Sequence, residues 1–143
     1  MTCLFCDVAA GRQPAHRVWD CAETVAFLDT HPVFKGHLLV IPRVHVDTLL
    51  NLPTELMAPL LGTTQRLAAA LEVAVGAQGT FVAMNNVVSQ SVPHLHLHVV
   101  PRRRKDGLRG FFWPRTRYSD DAEAAAIAAD IRRALGTDEL GTA

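Results

Sequence analysis

The chain has 143 residues, a length that suits one domain with a sizeable core, and its 14 Lys plus Arg are balanced by 14 Asp plus Glu. A formal net charge of zero argues against a nucleic-acid binder that relies on bulk charge. No stretch approaches the roughly 18 apolar residues needed to span a bilayer, and the residues up to Gly11 lack a basic, apolar leader, so neither a membrane segment nor a signal peptide is expected.

The three cysteines, two of them as Cys3-x-x-Cys6, do not make the pattern of a secreted disulfide framework; a reducing, cytoplasmic setting is the expectation. Cys3 to Ala10 reads as a brief helix ending at Gly11. Val18-Trp19 and Thr24 to Leu28 read as short strands around the turn-prone stretch from Asp20 to Glu23. His31-Pro32 and Lys35-Gly36 mark a loop, and His37 to Ile41 then forms a strand stopped by Pro42. From Pro53 to about Val75 the apolar period becomes helical: Leu56, Leu60, Leu67 and Leu71 share a stripe that Thr63 and Ala74 extend. Pro53 fits a first turn, Gly76 and Gly79 end the helix, and Pro59 predicts a kink or a later start. Gly79 to Met84 reads as a strand, followed by a polar loop of Asn85, Asn86, Ser89, Gln90 and Ser91. Pro93 opens another strand, His94 to Val100, which Pro101 closes. A basic and aromatic loop leads to a helix from about Asp120 to Leu135, with capping-box spacing between Asp120 and Glu123 and a stop at Gly136. The order predicts an α+β fold: a mainly antiparallel five-stranded sheet, one long central helix and a C-terminal helix. The last two strands are joined by a loop too short for a crossover, so they pair antiparallel.

The strongest chemical signal is His94-Leu-His96-Leu-His98-Val-Val100. On a strand the three histidines share one face, and Leu95, Leu97 and Val99 share the other, which suits a core. A solvated, histidine-rich face is the bland alternative. One chemical reading is a metal site, although the outer pair would stand roughly 13 Å apart on a straight strand. The other is nucleophilic catalysis: imidazole has a pKa near 6.5, so it is largely free to attack at neutral pH and to split one hard step into two. Ser89-Gln90-Ser91, just before the triad, offers hydroxyl and amide donors of the kind that lower the barrier to phosphoryl transfer.

Gln90-Ser-Val-Pro-His-Leu-His-Leu-His-Val-Val-Pro101 closely resembles the signature of the histidine triad (HIT) family. Asp29-x-x-Pro32-x-x-x-Gly36-His37-Leu-Leu-Val-Ile-Pro42 resembles the family's second recurring segment, and Cys3-Leu-Phe-Cys6 resembles the start of many bacterial members. The resemblance implies a HIT-like domain over residues 1–143, with the motif core at about 3–104 and a C-terminal loop and helix at about 105–143. It implies an enzyme that hydrolyses or transfers nucleoside monophosphates, acting on dinucleoside polyphosphates or nucleoside phosphoramidates, and a homodimer without organic cofactor. By motif position, His96 is the nucleophile that becomes nucleotidylated, His98 contacts the α-phosphate, and the backbone near His94 orients His96. Gln90 and Ser91 bind phosphate oxygens or assist the leaving group. Asp29 accepts from ribose hydroxyls, and Phe5, Phe27 and Leu28 form the base pocket unless the last two are plain core. His37 belongs to the pocket or makes a structural hydrogen bond. The loop departs from the pattern, because Ser89 stands where many members have Gly, and it leaves open which of Asn85 and Asn86 takes the substrate-binding role.

Cys3-x-x-Cys6 by itself reads as zinc ligation, a redox pair, or two small buried hydrophobes. The resemblance implies a structural zinc completed by His45 and His94, which would leave His96 and His98 free. Cys21 is expected to be a buried or partly buried thiol, and His16 and His31 surface loop histidines. Arg102 to Lys105 reads as a solvated run or as a steering patch for polyphosphate, and Gly110-Phe-Phe-Trp-Pro114 as dimer packing or a cover for a second nucleoside. Three competitors remain at this level: a metal-dependent hydrolase with an ion on His94 and His96, a non-catalytic nucleotide-binding module, and a nucleic-acid binder resting on the basic run.

Overall fold

Aliphatic and β-branched runs such as Thr24-Val-Ala-Phe-Leu28 and Leu38-Leu-Val-Ile-Pro42 form strands because both of their faces find apolar cover. The computed structural model describes residues 3–108 and 116–135; the expected aromatic loop at Gly110–Pro114 and the stop at Gly136 lie outside the described residues. The first of two compact units, Met1–Asp106, holds α1 (Leu4–Ala9), β1 (Arg17–Asp20), β2 (Thr24–Leu28), β3 (Leu38–Pro42), α2 (Thr54–Val75), β4 (Gly79–Ala83) and β5 (Leu97–Arg102). A short 3-10 turn, Leu49–Asn51, precedes α2. The second unit, from Gly107, holds α3 (Asp121–Ala134). No helix among the described residues is long and apolar enough to cross a membrane.

The five strands lie in the order β1-β2-β3-β5-β4, and every neighbouring pair is antiparallel, as expected. Alternation divides the core between the two faces. Ala26, Leu38, Val40, Leu95, Leu97 and Val99 pack under Leu60, Leu67 and Leu71 of α2. Val25, Phe27, Leu39 and Ile41 pack on the other face against Phe5, Val8 and Ala9 of α1. A buried pair of hydroxyls, Thr24 and Thr63 at 2.9 Å, ties β2 to α2.

Several boundaries differ from the sequence expectation. The histidine strand starts at Leu97 rather than His94, because the backbone before it pairs elsewhere: His94 N–H donates to Val92 O at 2.8 Å and Leu95 N–H to Val46 O at 2.6 Å. Pro42 is the last residue of β3 instead of its stop. Helix α2 runs through Pro59; only one backbone bond is forfeited there, to the carbonyl of Glu55. Pro53 caps α2 from outside, and Ala74 is exposed while Val75 packs on the core. In α3, Asp120 accepts from Glu123 N–H at 2.8 Å, but Glu123 reaches back to the amide of Ser119, one residue earlier than in a capping box.

Gly36 precedes the buried His37 with φ of +101°, and an added Cβ would lie 3.4 Å from both Pro101 Cγ and Val75 Cγ1. These are ordinary contacts, so the penalty of Gly36→Ala comes from the left-handed backbone, and we expect a loss of about 1–2 kcal/mol, read as a lower urea midpoint at unchanged slope.

Candidate active site

On the α1 face of the sheet lies a cleft of about 590 Å³. Its walls are Leu4, Phe5 and Val8 of α1, Gln13 to His16, Phe27 to His31, Leu39, Ser91, Val92, His96 and His98. Of the expected site residues, the structure therefore brings His96, His98, Ser91, Asp29, Phe5, Phe27 and Leu28 to one cavity. Phe5 stands edge-on to His96 with ring centroids 5.2 Å apart and edge-on to Phe27 at 5.4 Å. His96 is 2% exposed, and its ring centroid lies 5.0 Å from that of His98.

Hydrogen bonds fix which nitrogen of each ring carries the proton. A carbonyl only accepts, so His96 Nδ1–H donates to His94 O, 2.7 Å away, and the Nε2 lone pair is left free. Val33 N–H donates to His37 Nδ1 at 3.1 Å, so the His37 proton sits on Nε2 and is donated to His98 Nδ1 at 2.9 Å. Because His98 Nδ1 accepts, the single proton of the neutral His98 ring sits on Nε2. The site therefore pairs a free nitrogen on His96 with an N–H donor on His98, the combination that attack on a phosphorus centre requires. Asp29 accepts from His31 N–H at 2.8 Å and lies 3.7 Å from His37 Nδ1.

Burial holds His37 below the usual imidazole value, with Asp29 opposing. Burial, then the charges of His96 and His37, lowers His98 to about 4. Both rings are thus neutral at neutral pH. Below the unfolded value near 6.5 and above about 4, the unfolded chain binds the extra proton. Stability from His98 is therefore full above about pH 6.5 and lost as pH falls towards 4. We expect the melting temperature to drop by a few °C between pH 7 and pH 4.5, with a smaller drop in His98→Asn, followed by circular dichroism.

Cys3, Cys6, His45 and His94 place one ligand atom each within 4.8 Å of one another. His94 Nδ1 is 3.5 Å from both sulfurs, and His45 Nδ1 is 3.3 Å from Cys6 Sγ. Bond lengths of 2.3 Å to sulfur and roughly 2.0–2.1 Å to nitrogen imply tetrahedral edges of about 3.6 Å, close to these separations. The outer nitrogens are held as in metal-bound imidazoles: His94 Nε2 donates to Pro42 O at 2.9 Å, and His45 Nε2 to Asp47 Oδ1 at 2.8 Å. Both inward lone pairs thus face the thiols. Burial and the adjoining Cys3 push the Cys6 thiol up to about 11, a cost that a bound cation would offset. The donor set fits zinc. It also turns His94 away from the cleft, so His94 and His96 do not converge on one ion. Asp29, His37 and His98 form a second close group, but both His37 nitrogens are already engaged.

Other expected site residues lie outside the cleft lining. Gln90 uses both ends of its amide on backbone, accepting from Val87 N at 2.9 Å and donating to Asp47 O at 2.6 Å. Asn85 donates to Ser89 O at 3.2 Å, and Asn86 accepts from Leu49 N at 2.7 Å. In the basic run, Arg102 grips Asp106 at 2.6 and 2.9 Å, and Arg103 donates to the Val75 carbonyl at the end of α2; neither lines the cleft. Cys21 is half-buried, between Trp19 Nε1 at 3.4 Å and Thr24 Oγ1 at 3.3 Å. Sequence reasoning missed Leu4, Val8, Gln13 to His16, Thr30, His31, Leu39 and Val92 as cleft residues. His16 and His31 are exposed loop histidines as expected, yet they stand on the cleft wall; flanking loop positions carry no periodic signal that would reveal this.

The model of the HIT domain family matches residues 10–105. The HIT-like protein Rv1262c of Mycobacterium tuberculosis is 38% identical over 110 residues, 76% of this chain and 76% of its own. The adenosine 5'-monophosphoramidase hnt1 of Schizosaccharomyces pombe is 33% identical over 116 residues, 80% of this chain and 84% of its own. Among solved structures, a zinc-bound histidine triad family protein from Mycobacterium smegmatis superposes with a TM-score of 0.73 at 33% identity, covering 95% of this chain and 98% of that one.

Proposed function

The chain belongs to the HIT domain family, and from that premise we propose that it hydrolyses or transfers nucleotides at the α-phosphate through a nucleotidyl-His96 intermediate. One observation carries this reading: a free His96 Nε2 beside a His98 Nε2–H, in one cleft with Asp29 and an apolar wall. The S. pombe relative, an adenosine 5'-monophosphoramidase, supports nucleoside phosphoramidates as the substrate class, with dinucleoside polyphosphates as the second class to test.

His96 Nε2 attacks phosphorus as the bond to the leaving group breaks; solvent supplies the leaving amine's proton through the Ser91 hydroxyl, and the water that later cleaves the phosphorus–nitrogen bond returns one to solvent. The imidazole gains positive charge in this step, and the His94 carbonyl on its Nδ1–H stabilises that charge. His98 Nε2–H donates to a non-bridging oxygen, and Ser91, on the same wall, donates to the phosphate or the leaving group. Asp29 takes the ribose hydroxyls, and Phe5, Phe27 and Leu28 take the base. Gln90, Asn85 and Asn86 act by holding the loop that presents Ser91. Water then cleaves the phosphorus–nitrogen bond, releasing the monophosphate and free His96. Cys3, Cys6, His45 and His94 hold a structural zinc, which supplies charge for the thiolates and a fixed attachment for α1. Brief mixing with an adenosine phosphoramidate tests the reading: the intact-protein mass should rise by one adenylate. Turnover that stops with chelator and shows no adduct would overturn it.

We also propose that two copies pair in the cytoplasm through β4, the end strand of the sheet among the described residues, and the outer face of α2, where Met57, Leu61 and Val82 are exposed. Light scattering should give a solution mass twice that of one chain.

A further inference from the structure

Two exposed polar side chains stand on the cleft wall beside α1 and Leu28, and the chemistry above does not use them. Gln13 and His16 lie between α1 and β1 and line the cavity, and neither side chain hydrogen-bonds to a described residue. The backbone beneath them is anchored at both ends: Gln13 N–H donates to Asp7 O at 3.1 Å, and Leu28 N–H donates to His16 O at 3.0 Å. Pro14 stiffens the span between them. These side chains are therefore presented from a fixed stretch. The neighbouring Arg12 is drawn off onto Asp7 at 2.7 Å and is absent from the lining.

Their place along the cleft follows from the hydrogen bonds. His96 and His98 mark the phosphate end. Asp29 follows, one residue from Leu28, whose amide holds His16. A nucleotide with phosphorus at His96 and ribose at Asp29 lays its base on the apolar wall, with the base edge towards Gln13 and His16. The wall alone accepts any base, because every base has an apolar face. A carboxamide does not accept every edge. Its oxygen and amino group match the amino donor and N7 acceptor of adenine, whereas guanine presents two acceptors there and leaves the amide oxygen unpaired.

We infer that Gln13 is a specificity-determining residue that reads the purine edge and favours a 6-aminopurine nucleotide over a 6-oxopurine one, with His16 closing the rim beside it. This rests on the nucleotide reading given above. Its test compares kcat/KM for adenosine and guanosine 5'-phosphoramidate in the original protein, Gln13→Ala and, as a control, Arg12→Ala. The original protein should favour adenosine by about five- to tenfold, the worth of an edge contact at a solvated rim. Gln13→Ala should bring the ratio close to one through KM, with kcat unchanged, and Arg12→Ala should keep the preference. An unchanged ratio in Gln13→Ala, or equal losses for both substrates, overturns the assignment. If the original protein turns over neither substrate, the hydrolase reading fails on its own. The ratio of AMP to GMP dissociation constants, measured by calorimetry on the same proteins, then decides Gln13 by the same criterion.

Discussion

His96→Asn is expected to lower kcat by at least about a thousandfold and to abolish the adenylate adduct, because it removes the nucleophile rather than a binding contact. Asparagine suits the purpose. Its amide keeps a donor near the His94 carbonyl, which His96 Nδ1–H contacts at 2.7 Å, but it offers no free ring nitrogen. Nucleotide affinity should change little, since the apolar wall and Asp29 are untouched. Rapid-quench kinetics with mass detection separates these effects. Residual adduct in the variant would move the nucleophile to another residue, with His98 the nearest ring at 5.0 Å. Full activity without an adduct would sink covalent catalysis.

Cys6→Ser should cost stability on the order of 3 kcal/mol, since it removes one of the four ligands of the proposed zinc and leaves the buried His94 nitrogen facing an incomplete set. For a domain of this size that is about 10 °C in melting temperature. Helix α1 has six residues and no side-chain cap, too short to persist alone. It is held by the packing of Phe5, Val8 and Ala9 and by the cysteines that bracket Phe5. Leu4, Phe5 and Val8 are also the cleft wall. Loss of the centre should therefore loosen that wall and weaken AMP binding several-fold, besides lowering the melting temperature. Elemental analysis should find one zinc per chain in the original protein and substantially less in the variant. An unchanged melting temperature and affinity in a zinc-depleted protein would refute the structural role.

The sequence by itself determined the class of fold and the family. Period-2 runs marked the strands, and a 22-residue helix announced itself through Leu60, Leu67 and Leu71. The alternation of His96 and His98 with Leu97 and Val99 divided pocket from core correctly, because both periodicities are local properties of the backbone. Only the tertiary structure decided the remainder. The bend before Leu97 comes from pairing with Val46, roughly fifty residues earlier in the chain, and it directs the His94 ring to Cys3 and Cys6. The proton positions on His96 and His98 depend on the His94 carbonyl and the Val33 amide, backbone groups whose direction no side-chain pattern specifies. Gln13 and His16 join the cleft because Leu28 N–H grips the His16 carbonyl. Such contacts are set by how distant segments pack, and they leave no periodic trace in the chain itself.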